Sequence, residues 1–200
     1  MFPRSRTLVV LAACALVAGG CSSPAKRFPG LANEYVYTTL SFSPSGATQA
    51  GLHEYTDPRT GTTLLLDTLL DDFSPASLER QKAFYQAFRT RLQALNRDKL
   101  DPQTQADYDL LANAVDFALF AFEQERFTQR KPQLYAEVLG NALFSNISLE
   151  YADTATRAAH LAARLGQVPA FVAAAIGNLN ASNDVWRRVA VEEMDGVADM

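Results

Sequence analysis

The apolar residues after Ser74 recur at steps of three, four and seven residues, and this spacing constrains the fold more than any other feature of the sequence. Ser74-Pro75 supplies a capping hydroxyl and then a proline, whose missing N–H costs nothing at the first helical position. One face of a helix over about residues 75–96 is therefore predicted to be apolar. Its residues are Leu78, Tyr85, Phe88, Leu92 and Leu95.

A second start signal, Asp101-Pro102, precedes a helix with two apolar stripes. A helix that is apolar on two faces is expected to lie between neighbours, so this one is predicted to be central. The first stripe is Tyr108, Leu111, Val115, Leu119 and Phe122, and the second is Leu110, Phe117 and Phe120.

The remaining apolar segments also have helical spacing, and no hairpin dipeptide lies between alternating strands. The predicted fold is all-α, an irregular bundle of about six helices joined by short loops. The later helices are predicted from Pro132 to about Phe144, from Thr154 to Leu165 with a stop at Gly166, from Pro169 to about Leu179, and from a cap at Ser182 onward.

The stretch between Ser43 and Phe73 is interrupted by Pro44, Gly46, Gly51, Pro58 and Gly61. These residues predict a loop with at most short helices. The preceding residues 33–42 are predicted as a short helix or an extended segment.

The first 20 residues have the pattern of a bacterial signal peptide. Arg4 and Arg6 precede an uncharged apolar run that ends before Cys21, and the run is too short to span a bilayer. The sequence around Cys21 resembles a lipobox, so we expect a lipid on this cysteine. Cys14 is the better letter match but would leave an apolar region of only about six residues. The predicted organisation is a signal peptide over 1–20, a tether over 21–32 and a helical segment over 33–200.

The residue after Cys21 and the net charge of the chain indicate its cellular location and its partners. Ser22 after the cysteine favours a protein anchored in the outer membrane and facing the periplasm. Without Arg4 and Arg6, 16 basic residues stand against 22 acidic ones, a net charge near −6. We therefore expect a membrane contact through the lipid and no nucleic-acid partner.

Only two histidines are available for chemistry. His53-Glu54-Tyr55-Thr56-Asp57 differs by one residue from H-E-x-x-H, the helical zinc motif, because Asp57 stands in the second ligand position. Pro58 follows at once, so the favoured interpretation is a polar loop with local hydrogen bonds. His160 shares a helix face with Arg157 and Arg164, opposite Leu161 and Leu165, and a solvated or ion-paired face is expected.

An ordered set of short motifs resembles the start of the bacterial proteins known as domain of unknown function 885, many of which are lipoproteins. The resemblance runs from about Asn33 to Gly196. The motifs are Phe42-Ser43-Pro44, residues 47–55, Phe73-Ser74-Pro75, residues 107–111, Pro132-Gln133-Leu134-Tyr135, residues 157–165 with Val168-Pro169, and residues 175–179.

The resemblance implies a mostly helical zinc metallopeptidase of the gluzincin type, about three times as long as this chain, in which a metal-activated water attacks a peptide carbonyl. The H-E-x-x-H helix of the family lies in its C-terminal half and is absent from these 200 residues. No zinc ligand or catalytic residue is therefore assigned here, and zinc is implied only for the longer proteins. The residues expected to line a substrate cleft are His53, Glu54, Asp57, Arg157 and Arg164.

Two hypotheses follow. The first is the N-terminal segment of an exported, lipid-anchored peptidase, inactive by itself. The second is a non-enzymatic helical envelope lipoprotein that binds a protein or peptide. If the segment is incomplete, its helices are expected to expose apolar stripes.

Overall fold

The computed structural model describes residues 23–58 and 60–199, and the fold in these ranges is all-α. Eight α-helices lie in the described part, and six of them have 15 residues or more, in agreement with the predicted number. The helices are α1 (Pro24–Phe42), α2 (Pro44–Gln49), α3 (Pro75–Gln93), α4 (Pro102–Glu123), α5 (Phe127–Arg130), α6 (Gln133–Ser148), α7 (Thr154–Asn178) and α8 (Asp184–Ala198).

Capping side chains fix where the long helices begin. Ser74 accepts from the Ser77 N–H at the start of α3, and Asp101 accepts from two N–H groups at the start of α4, as their start signals predict. Asp153 caps α7 in the same way. The cap of α8 is Asn183 and not Ser182, because the Asn183 side chain accepts from the Trp186 N–H.

Two boundary predictions are wrong, and in both cases packing overrides the local signal. The segment predicted as a tether is helical from Pro24 onward, and it buries Phe28. The stop predicted at Gly166 is absent, since α7 continues through Gly166 and Pro169 to Asn178. Residues beyond Pro169 bury their side chains in line with the first half of α7, and this packing offsets the hydrogen bond that the proline cannot donate.

A two-stranded antiparallel hairpin interrupts the stretch predicted as loop. Strand β1 (Glu54–Thr56) pairs with β2 (Thr63–Leu65), with Tyr55 opposite Leu64. A 3-10 turn over Leu66–Thr68 follows, and with α2 it provides the short helices expected there. The connection between the strands contains Asp57-Pro58 and Gly61, which predict a turn, but no two-residue hairpin dipeptide that would also predict the paired strands.

Most of the buried apolar residues form two clusters. The first joins α1, α3 and α4 around Phe88 and Leu92, and the second joins α6 and α7 around Leu139 and Phe171. The predicted central position of α4 is wrong: only the stripe with Val115 and Leu119 is buried. In the second stripe, Leu110 is 68% and Phe117 62% exposed.

Candidate functional site

Both histidines of the chain converge on one buried carboxylate. His53 Nδ1 lies 3.0 Å from Asp67 Oδ2, and His160 Nδ1 lies 3.9 Å from the same oxygen. Asp67 is 1% exposed, whereas the His53 side chain is 37% exposed. The buried carboxylate therefore holds the Nδ1 side of the His53 ring, while part of the imidazole remains at the surface.

Tyr151 fills the space between the two imidazoles. Its ring stacks on His53 with centroids 4.9 Å apart and on His160 with centroids 5.9 Å apart. The hydroxyl lies 3.1 Å from His160 Nδ1 and accepts a hydrogen bond from Asn146 Nδ2. Burial and the charge of Asp67 raise the pKa of the Tyr151 hydroxyl.

Arg164 is completely buried beneath this group and connects four parts of the chain. Burial lowers the pKa of its guanidinium, while the charges of Asp67, Tyr151 and Asp71 oppose that change. Its donors reach carbonyls and side chains of α2, α6 and the 3-10 turn after β2. The acceptors are the carbonyls of Pro44, Leu66, Leu69 and Ala142 and the side chains of Thr48, Ser145 and Asn146.

A second buried acid, Asp71, holds the start of α2. It accepts from the Ser43 hydroxyl at 2.7 Å and from the Ser45 N–H at 2.9 Å. Burial raises the pKa of Asp71, although these hydrogen bonds and Arg164 act in the opposite direction. Asp71 therefore acts as a structural acceptor for a helix N-terminus.

A groove of about 1330 Å³ lies beside the hairpin. The hairpin forms one wall, and α1 and α3 form the others. Its apolar lining includes Phe42, Leu64 and Phe84, and Asp57, Asp72 and Arg80 are among the charged residues that line it. The groove therefore combines an apolar surface with both signs of charge.

The five predicted cleft residues do not line one common cleft. Asp57 lines the groove, Glu54 is exposed on β1, and His53 belongs to the histidine cluster. Arg157 donates to the carbonyls of Ile147 and Leu149 at the C-terminal end of α6. Arg164 is fully buried, so it does not line a cleft in this fold.

The solvated alternative predicted for the α7 face with Arg157, His160 and Arg164 is wrong. The face with His160 and Arg164 points into the protein, and Leu165 is 50% exposed. Sequence reasoning missed Asp67, Thr48 and Tyr151 as members of the cluster. One signal was available, since Asp67 is a single acid within an apolar run and such an acid needs partners when buried.

The described residues do not fit zinc. No group of three or more His, Cys, Asp or Glu side chains in residues 23–58 and 60–199 is arranged to hold a metal ion. What the cluster can do is hold a partly exposed imidazole in a defined orientation: Asp67 faces Nδ1, so Nε2 is the ring nitrogen left to face another partner.

Comparison with known proteins assigns the family. The family described as bacterial protein of unknown function (DUF885) matches residues 44–199. The chain belongs to this family. No curated protein matches this DUF885 chain.

The fold of this DUF885 chain is similar to a solved structure, "The structure of a putative lipoprotein of unknown function from Shewanella oneidensis". The TM-score is 0.73 and the sequence identity 22%, and the match covers 85% of this chain. It covers 29% of the Shewanella chain, so these 200 residues span less than a third of that protein.

Proposed function

We propose that this chain is the N-terminal helical segment of an exported, lipid-anchored peptidase, and that its hairpin groove binds part of the peptide substrate. The catalytic residues lie elsewhere in the longer protein. Membership of the DUF885 family and the coverage of 29% of the Shewanella chain support the view of a segment. The motif order of the sequence supports the peptidase assignment.

The observation that carries the proposal is the chemistry of the groove. Small-molecule pockets are typically about 300–1,000 Å³, and this groove of about 1330 Å³ is larger. Its apolar lining suits the side chains of a peptide, and the exposed charges of Asp72 and Arg80, which lie 3.7 Å apart, border it. An extended peptide beside a hairpin can also pair with backbone groups of the strands.

The buried cluster around Asp67 and Arg164 supports the hairpin that forms one side of the groove. Leu66 N–H donates to the His53 carbonyl at 2.8 Å, next to the contact between His53 and Asp67. The residue before β1, His53, is connected to Arg164 of α7 through Asp67 and the Thr48 hydroxyl. The residue after β2, Leu66, is connected to Arg164 through its carbonyl. We infer that this support holds β1 and β2 in place when a peptide binds.

Binding of fluorescent peptides to the 200-residue chain tests the groove. Ala87 is exposed and lines the groove, so Ala87→Arg is expected to block it and to weaken peptide binding at least tenfold. Ala106→Arg, on an exposed part of α4 outside the groove, serves as the matched control and should bind as the wild type does. Equal binding by both variants, or none by the wild type, would contradict the proposal.

Hydrolysis is a separate test. The product of the complete gene is expected to cleave peptides in a chelator-sensitive reaction, while the 200-residue chain alone is expected to leave them intact. Zinc-dependent cleavage by the 200 residues would show that catalysis does not lie elsewhere.

The exposed apolar residues favour a second candidate function, a non-enzymatic helical envelope lipoprotein that binds a protein partner. The gene sequence after Met200 separates the two candidates. An in-frame continuation with H-E-x-x-H supports the peptidase, and a stop codon supports the binding protein.

Cys21 and the signal peptide lie outside the described residues, so the anchor remains part of the proposal. We place the protein at the outer membrane, facing the periplasm.

A further inference from the structure

The outward face of α7 has a composition unusual for a surface. Apart from Thr154 at the first position, its exposed residues are all alanine, glycine, proline or aliphatic, with no charged side chain over 25 residues. They are Ala155, Ala158, Ala159, Ala162, Ala163, Leu165, Gly166, Pro169, Ala170, Val172, Ala173, Ile176 and Gly177.

The larger side chains of this face are open to solvent. Leu165 is 50%, Val172 36% and Ile176 71% exposed. An 18-residue window of α7 has a mean hydropathy of 1.3, yet only 17% of it is buried. A surface helix normally turns charged residues outward, whereas α7 turns its arginines inward beside Phe171 and leaves a second apolar face outward.

Polar residues on the inner face help to fix α7 in this orientation. Arg157, His160 and Arg164 all make their contacts with α6, Tyr151 and the turn after β2. If α7 were rotated so that its apolar face pointed inward, Arg164 would be moved away from its hydrogen-bond partners and its charge would be left unpaired. The apolar face therefore stays on the outside of the described part of the chain.

We propose that the outward face of α7 is an internal interface, covered by α-helices of the longer DUF885 polypeptide. This rests on the proposed function only in treating the chain as a segment, and not on peptidase activity. The Shewanella chain supports it, since the 29% that matches leaves most of that protein to provide the cover. Alanine and glycine at the centre of the face let a second helix approach to about 8 Å, the close end of the usual packing range.

A lipid surface fits this face less well. Helices that lie on membranes carry lysine and arginine beside the apolar face, and they often carry tryptophan. The two arginines of α7 are engaged on the inner face, and the chain without its leader has a net charge near −6.

Charge insertion tests the interface in two settings. Ala162→Glu and Ile176→Glu place a carboxylate on the face, and Ala106→Glu on α4 is the matched control at an exposed alanine. In the 200-residue chain we expect Tm to stay within about 2 °C of wild type for all three, because the face is open there. In the complete gene product, the two α7 variants should lower Tm by roughly 5 °C or more, since they bury an unpaired charge, while the control does not.

Three outcomes would overturn the proposal. One is an unchanged Tm of the complete gene product with either α7 variant. A gene that ends at Met200 counts as the same outcome, because it leaves no further helices to cover the face. The second is a dimer of the gene product that Ile176→Glu dissociates, which assigns the face to a second copy. The third is binding of the unlipidated gene product to phosphatidylethanolamine and phosphatidylglycerol vesicles that Ile176→Glu abolishes. Because Tm does not depend on hydrolysis, a gene product without peptidase activity still tests this interface.

Discussion

Arg164 and Asp67 are both buried, and the hydroxyl of Thr48 joins them. Thr48 Oγ1 accepts from Arg164 Nη2 at 2.8 Å and lies 2.7 Å from Asp67 Oδ1, to which it donates. A buried charge of either sign is costly unless partners satisfy it. The two charges therefore depend on each other and on one side chain from α2.

Replacing Arg164 tests how much the chain depends on this arrangement. Arg164→Met leaves Asp67 buried without its cationic neighbour, and we expect the free energy of unfolding to fall by about 3–5 kcal/mol. Arg89→Met is the control, because Arg89 makes an exposed pair with Asp116 at 3.8 Å, and such pairs contribute up to about 1 kcal/mol. Urea denaturation followed by circular dichroism measures both, and equal midpoints would contradict the expectation.

The bridging hydroxyl can be removed alone. Thr48→Val keeps the shape of the side chain but leaves Asp67 and Arg164 each without one hydrogen bond, so a loss of about 1–3 kcal/mol is expected. Thr48→Ser retains the hydroxyl and should lose less. If serine proves as damaging as valine in the same denaturation experiment, the packing of the methyl group and not the bridge would explain the effect.

The raised pKa of Asp71 predicts the direction in which the stability of the protein changes with pH. Its pKa is raised in the folded protein, so the folded state holds the proton more tightly than the unfolded state. Stability from this group is complete below the pKa of an ordinary aspartate and declines as pH rises through the raised pKa. Asp71→Asn removes the titration, so its stability relative to wild type should increase from pH 4 to pH 7 in urea titrations. A constant difference between the two proteins would argue against a raised pKa.

Two glycines should respond to alanine in opposite directions. Gly166 lies inside α7 with open space where a Cβ would stand, so Gly166→Ala is expected to stabilise the 200-residue chain by about 0.5–1 kcal/mol. Gly51 has φ +78°, a conformation that alanine adopts only with strain, so Gly51→Ala should destabilise it. Thermal denaturation measures both changes, and stabilisation by Gly51→Ala would refute the second expectation.

The lipid anchor is tested by labelling. Labelled palmitate is expected on the wild-type protein in a bacterial host and should be absent from Cys21→Ser. Label that persists in this variant and disappears in Cys14→Ser would move the anchor to the alternative cysteine.

The sequence was sufficient for the elements whose signals are local. Ser74-Pro75 and Asp101-Pro102 predict the starts of α3 and α4 because capping and proline act within one turn. Gly166 and Pro169 misled for the opposite reason, since contacts of α7 with distant residues outweigh a weak local break. The candidate site was beyond local reasoning, because Asp67 and Tyr151 bring His53 and His160 together only in the folded chain.

The reach of Arg164 has a consequence for how the protein assembles. Its partners Pro44 and Leu66 lie 120 and 98 residues earlier in the chain, and α3 and α4 come between. Contacts of such sequence separation form late, because the loop that they close must be ordered first. During synthesis, the carbonyls of Pro44 and Leu66 therefore acquire the Arg164 donor only after α7 has been made, whereas the apolar cluster of α1, α3 and α4 needs no residue beyond Glu123.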